Sequence, residues 1–441
     1  MIQSLLIANR GEIAVRIIRT CREMGIRTVV AYSQADSDSL AVHMADQAVC
    51  IGPPPARDSY LNVRNLVTGA VLSRCDAIHP GVGFLAENAG FARETLEAGL
   101  LFIGPDPEVT ELLGDKIRAK QSAQEMGIPI IPGSVGSVDD AAQAAQAAEQ
   151  IGYPVIVKAA AGGGGKGMRI VRGASELADV LKIASHEAEK AFSDGTLYLE
   201  KYFENPRHVE IQIVADRRGN VVHLGERDCT VQENHQKLVE ESPSPAVSAE
   251  LRAKMCGDAV RLLHGLAYTG AGTVEFLVKN GKHWFMEVNA RVQVEHPVSE
   301  MVTGVDIIRQ QILAASGEAL EVTQEEVRLG AYAVECRINA RSAGRVTRFI
   351  APGGFGVRVD TYLHDGAVVS PYYDHLVAKL IVSGKNRMEG LARMVRALSE
   401  FVIEGIATNI PQQARIVAHP VFRRGIYGTG FIADMLKEGP T

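Results

Sequence analysis

"GYPVIVKAAAGGGGKGMRIV", residues 152–171, contains Gly162, Gly164 and Gly167 at the spacing G-x-G-x-x-G. A dinucleotide-binding turn must open a helix directly after its third glycine. Here "MRIVRG" follows with the pattern of a strand, and the helical stretch "ASELADVLKIASHEAEKAF" comes only later. A Walker loop ends in Lys-Ser or Lys-Thr, whereas Met168 follows Gly167. Both textual matches fail on context. A strand on each side makes the run the tip of a hairpin. Glycines let backbone N–H groups approach an anion closely, and Lys158 at the end of the first strand adds a point charge. The stretch therefore predicts a flap over phosphates rather than a bare linker, within a small unit of about residues 153–203.

Upstream, strands alternate with helices. "SLLIA", "RTVVAYS", "QAVCIG", "CDAIHPG" and "LLFIGP" read as strands, and Ile13, Ile17, Ile18, Cys21 and Met24 form one helical stripe. That alternation predicts a parallel α/β sheet. The first turn, "ANRGEIA", has one glycine where a dinucleotide fingerprint wants three. The 441 residues are 46% hydrophobic, enough for several sizeable cores, and carry a net charge of −6. With no long basic run, nucleic acid is not expected as a partner. With no apolar run of 18 residues and no signal-like N-terminus, a membrane span is not expected either. The six cysteines lack any C-x-x-C pair and are expected to be reduced and buried, as in a cytoplasmic protein.

Downstream, "GAGTVEFLVKNGKHWFMEVN" predicts a β-hairpin turning at Asn280-Gly281, with Glu275 across from Glu287. Like charges side by side repel. Two carboxylates with Asn289 as a third oxygen instead suit a divalent cation carried by nucleotide phosphates. Continuing through "NARVQVEHP", Glu287, Asn289, Arg291, Gln293 and Glu295 alternate with apolar residues. Eight residues of ideal strand span about 26 Å. The chain must therefore bend after about Asn289 if Glu287 and Glu295 serve one site.

Together with "IANRGEIAVRIIR" (7–19), "AIHPGVGFLAEN" (77–88), "ERDCTVQENHQKLVEE" (226–241), "EVNARVQVEHPVSEMVTG" (287–304) and "AVECRINA" (333–340), these stretches resemble biotin carboxylase, the ATP-grasp component of biotin-dependent acyl-CoA and pyruvate carboxylases, over essentially the whole chain. The resemblance implies an α/β fold with a Rossmann-like N-terminal domain (1–113), a helical linker (114–130), an ATP-grasp lid (131–203) and a C-terminal catalytic domain (204–441, in parts 204–317 and 325–441). It implies a ligase that uses ATP and Mg²⁺ or Mn²⁺ to phosphorylate bicarbonate, and then carboxylates N1′ of biotin. Nucleotide contacts are implied at Lys116, Lys158, the amides of Gly164 and Gly165, the hinge Glu200, Lys201, Tyr202 and Phe203, and at His208, Gln232, His235 and Leu277. Glu275, Glu287 and Asn289 are implied as metal ligands. Lys237, Arg291 and the Val294 amide would hold bicarbonate, Glu295 would be its general base, and Arg337 would steady charge on biotin. A strand pairing of Arg337 with Glu335 is the structural alternative.

Three departures stand out. Glu233-Asn234 replaces a pair of arginines, Val82 replaces a tyrosine, and the loop after Ala340 is short and begins with Arg341 in place of glutamate. With no biotin-attachment motif in the sequence, biotin is expected on a separate carrier protein, with a separate carboxyltransferase and a homodimeric enzyme. Another ATP-grasp ligase, an inactive ATP-binding relative and an NAD-dependent dehydrogenase are the competing readings.

Overall fold

Five strands form the first sheet: β1 (Ser4–Ile7), β2 (Arg27–Ser33), β3 (Gln47–Gly52), β4 (Ala77–His79) and β5 (Leu101–Phe102). They pair in parallel in the order β3-β2-β1-β4-β5. Central β1 is buried along its length, as parallel strands usually are. The helix Gly11–Glu23 turns its predicted stripe inward, with Ile13, Ile17, Ile18 and Cys21 in the core. The computed structural model describes residues 2–134, 136–138, 140–159, 168–192 and 194–438.

The glycine run is flanked by strands, as read. Strands β6 (Val155–Ala159), β7 (Arg169–Val171) and β8 (Leu197–Lys201) form an antiparallel sheet in the order β7-β6-β8. The helices Ala141–Ile151 and Ala174–Phe192 pack on it. Val157, Val171, Ala144, Leu177 and Leu199 belong to a hydrophobic cluster confined to residues 138–199. Gly164 and Gly165 lie outside the described residues.

The third sheet is antiparallel throughout. It contains β9 (Arg207–Ala215), β10 (Val221–Glu233), β11 (Gln236–Ser242), β12 (Gly270–Lys279), β13 (Lys282–Asn289) and β14 (Tyr332–Asn339). Their order is β13-β12-β9-β10-β11-β14, continued by the strands Leu376–Gly384 and Val357–Thr361. One sheet thus runs across the division expected near residue 320. The largest hydrophobic cluster likewise unites Leu5 and Ile17 with Val334, Leu380 and Met435.

Strand β9 is buried at all nine positions. Its alternation gives one apolar face, Val209, Ile211 and Ile213, packed in a second core. Its other face carries His208, Glu210 and Gln212. Buried polar groups on a sheet face demand partners, and those partners form the site described next. Among the described residues no helix is long and apolar enough to cross a membrane. The cysteines are free, and five are buried; Cys50 is exposed on the outer strand β3, contrary to the expectation for all six.

Candidate active site

Asn280 (φ 52°) and Gly281 (φ 71°) are both left-handed, the two-residue turn that matches the natural twist of a hairpin. That turn fixes the register of β12 against β13 and puts Glu275 directly across from Glu287. Asn289 ends β13, and its Nδ2 donates to Glu275 Oε1 at 2.8 Å. The two carboxylates and the Asn289 amide oxygen, which accepts from Arg291 Nη2 at 3.1 Å, make up a hard, all-oxygen donor set of the kind that fits Mg²⁺ or Mn²⁺. Lys116, the first residue of the helix Lys116–Glu125, places its Nζ 3.3 Å from Glu287 Oε2.

Beyond Asn289 the chain leaves the sheet and turns into the helix His296–Thr303. This is the bend that the spacing of Glu287 and Glu295 required, and it brings Glu295 back over the sheet. Lys237, on β11, is the hub. Its Nζ donates to Glu210 Oε2 (2.7 Å), Glu295 Oε1 (2.7 Å), Glu275 Oε1 (3.1 Å) and Gln293 Oε1 (3.2 Å). Burial disfavours its charge, but the surrounding anions outweigh burial and hold its pKa well above the usual lysine value. The ligand atoms of His208, Glu210 and Glu275, and those of Glu210, Cys229 and Glu295, approach closely enough to suggest metal trios. The Lys237 ammonium already sits among these carboxylates, Glu275 included.

Glu295 is 1% exposed. Its Oε2 accepts from Arg337 Nη2 at 2.8 Å. Burial raises its pKa, yet Lys237, Arg337 and Arg227 together hold the carboxyl below the ordinary range. Glu275 is likewise anionic, because Lys237 and His208 overcome burial. Arg337 also donates through Nε to Glu240 Oε1 at 2.6 Å. Its ion partners are therefore Glu240 and Glu295, and not Glu335 of its own strand. Arg291 donates through Nε to Glu87 Oε2 (2.9 Å) and through Nη2 to Asn289 Oδ1 (3.1 Å). Lys237, Glu275, Glu287, Asn289, Arg291, Glu295 and Arg337 line one cavity of about 650 Å³ that reaches from Lys116 and Lys158, past His208, Gln232 and His235, to Val294.

Residues 1–110 match the family model described as biotin carboxylase, N-terminal domain, and 326–434 match its C-terminal domain. Residues 115–323 match the carbamoyl-phosphate synthase L chain, ATP binding domain. The chain is 52% identical to biotin carboxylase 1 of Bacillus subtilis over 98% of both chains. The chain belongs to the biotin carboxylase family. A Campylobacter jejuni biotin carboxylase solved as a β,γ-ATP complex superposes with a TM-score of 0.96 at 44% identity, covering 98% of this chain and 99% of that one. The biotin carboxylase domain of the Hydrogenobacter thermophilus 2-oxoglutarate carboxylase, solved as a dimer with MgADP, ADP and bicarbonate, gives 0.94 at 46% identity over 98% of both. The family's ATP-grasp fold, with its parallel-sheet N-terminal domain, is the one described above.

Not every expected residue reaches the cavity. Lys158 Nζ pairs with Glu200 Oε2 at 2.5 Å, and Lys120 holds the other oxygen at 2.5 Å. Lys201 donates to the Gly152 and Tyr153 carbonyls, and Phe203 packs on Trp284 with ring centroids 4.4 Å apart. Glu200 to Phe203 and Leu277 stand outside the cavity lining, where Tyr198 and Met286 are found instead. His208 Nε2 lies 2.7 Å from Glu275 Oε2, and Gln232 Nε2 is 2.8 Å from His208 Nδ1.

Sequence reading missed Glu87, Lys120, Glu210 and Glu240. Glu210 was open to discovery, because His208, Glu210 and Gln212 alternate just as residues 287–295 do. The departures have local accounts too. Asn234 (φ 50°) and His235 (φ 65°) make the β10–β11 turn in the left-handed region, which asparagine tolerates better than most residues. Glu233 and Arg341 are the two ends of one chain. Gln412 donates to Glu233 Oε2 at 3.2 Å, while its Oε1 accepts from Arg341 Nη2 at 2.7 Å. Val82 lines the cavity beside Phe84.

Proposed function

We propose that this chain carboxylates biotin at the expense of ATP and bicarbonate, with the biotin carried on a separate protein and the product passed to a carboxyltransferase. The observation that carries this is Glu295, a dehydrated carboxylate held between Lys237 and Arg337 where the chain enters the helix His296–Thr303. Lys116 and Lys158 are placed to meet phosphate oxygens. Glu275, Glu287 and Asn289 would hold the cation, which supplies neutralisation of charge on the transferring phosphoryl group.

Bicarbonate, a planar anion, suits the fork of Arg291 with Lys237 and the Val294 amide. As Lys237 turns toward it, Glu295 Oε1 loses a charged partner, and the carboxylate becomes a stronger base. Glu295 then removes the bicarbonate proton, and the freed oxygen attacks the γ-phosphorus to give carboxyphosphate and ADP. Carboxyphosphate then breaks at its C–O bond into CO₂ and phosphate. The phosphate takes the N1′ proton, Arg337 steadies the enolate-like charge left on biotin, and N1′ attacks the CO₂ to form the new C–N bond. A cytoplasmic homodimer is the proposed assembly.

The test is release of ADP in the presence of bicarbonate with and without free biotin. Stimulation by biotin is expected, and Glu295→Gln should lower the stimulated kcat by about 100-fold or more. Biotin-independent turnover of equal rate would favour another ATP-grasp ligase, and no turnover at all an inactive relative.

A further inference from the structure

Lys379 lies on the strand Leu376–Gly384, directly across from Arg337, and is 0% exposed. Its Nζ is 2.9 Å from Glu12 Oε2 and 3.9 Å from Asp360 Oδ2. An ammonium so deeply buried needs carboxylate partners. Its third contact is of another kind: Nζ donates to the main-chain carbonyl of Val294 at 2.9 Å.

The surroundings of that carbonyl give the contact its meaning. Three successive carbonyls in the turn before the helix His296–Thr303 are each held by hydrogen bonds. Gln293 O accepts from His296 Nδ1 at 2.7 Å and from His296 N at 3.3 Å, and Glu295 O accepts from Val298 N at 3.1 Å. All three of these donors belong to the turn and its helix. Val294 O alone among the three is held from a distant strand, by Lys379. A peptide plane carries its C=O and N–H as one rigid body. Fixing Val294 O therefore fixes the Glu295 amide, and restrains the rotation of Val294 on which the aim of its own N–H depends. Glu12, in the first turn of the helix Gly11–Glu23, holds the ammonium from the other side. The N-terminal domain thereby braces the turn that presents Glu295.

We propose that Lys379 is a positioning residue for bicarbonate: its hydrogen bond to Val294 O, braced by Glu12, holds the Val294 amide and the Glu295 carboxylate at the angle bicarbonate requires. The inference rests on the placement of bicarbonate at Lys237, Arg291 and the Val294 amide.

Steady-state kinetics of the full-length chain with free biotin test it. Lys379→Met strands Glu12 as a buried unpaired charge and can compromise folding, so Lys379→Met/Glu12→Gln, which removes both charges, is measured beside it. The expected result in the folded variants is a KM for bicarbonate raised by about tenfold or more, roughly one geometrically misplaced hydrogen bond to a charged group, with KM for ATP within about twofold of wild type. A merely structural loss would shift both constants together or lower only the active fraction. Arg291→Ala separates the two layers. If it raises the bicarbonate KM while the Lys379 variants do not, the positioning role is overturned and the site placement stands. If neither raises it, the placement itself is wrong and the positioning role falls with it.

Discussion

Glu240 and Glu335 face each other across β11 and β14, and both are fully buried. Among the described residues, Glu240 Oε2 and both oxygens of Glu335 accept no hydrogen bond. Two dehydrated carboxylates side by side cannot both stay ionised cheaply. Burial pushes Glu240 up to about 7 from an ordinary 4.5, with Glu295 adding to the rise and Arg337 and Lys237 opposing it. Burial and then Glu240 drive Glu335 well above the carboxylate range, against Lys379 and Arg337. Between 4.5 and about 7 the folded chain therefore keeps a Glu240 proton that the unfolded chain releases. The resulting stabilisation is complete below the lower value and is lost as pH rises through the upper one. Glu240→Gln leaves an oxygen to accept from Arg337 Nε but removes the titration. Thermal melts should show wild type losing stability relative to Glu240→Gln across this window, with a slope approaching about 1.4 kcal/mol per pH unit. A difference in Tm that stays constant with pH would mean that Glu240 is ionised throughout.

The β10–β11 turn shows how an element absorbs a change of charge. Arginines at 233 and 234 and glutamate at 341, the pattern implied by the resemblance, are replaced by Glu233, Asn234 and Arg341, and Gln412 bridges the exchanged charges. Glu233→Arg or Arg341→Glu alone should place like charges at the two ends of Gln412 and cost up to about 1 kcal/mol, since the pair is only partly shielded from solvent. The double variant should recover most of that loss, giving a coupling of about 0.5 kcal/mol in a double-mutant cycle read by chemical denaturation. Strict additivity would show that the bridge carries no energy. The same elements mark what was legible beforehand. The 270–289 hairpin was readable because its alternation and its two-residue turn are both local signals. The flanking strands of the glycine run were readable for the same reason. The partners that tune the site were not, since each crosses the chain: Lys120 to Glu200 spans 80 positions, Arg337 to Glu240 spans 97 and Arg291 to Glu87 spans 204. The family resemblance put Glu295 and Arg337 in one site, but only the fold shows that they share a salt bridge.

At the scale of the whole molecule, hydrophobic packing divides the chain differently from its order. The N-terminal sheet and the C-terminal strands share one core, and buried ion pairs tie them further. Arg16 of the first helix bridges Glu300 and Asp306, and Arg358 joins Glu300 to Asp360. By contrast, Val157, Val171, Leu181 and Leu199 pack only within the segment 138–199. Among the described residues, its polar links to the chain around it include Ser134 N–H to Leu199 O, and the Lys120–Glu200 pair lies at its edge. Cooperativity follows shared burial, so the two bodies should melt as separate units. Leu199→Ala, at a fully buried position, should cost the smaller body about 2–5 kcal/mol. In calorimetry of the nucleotide-free protein, the lower transition should fall in temperature while the upper one holds its position. Saturating MgATP binds between the two bodies in the proposed site, so it should raise the lower transition most and draw the two together. A single transition that shifts as a whole in Leu199→Ala would instead show that the 138–199 core folds only as part of the larger one.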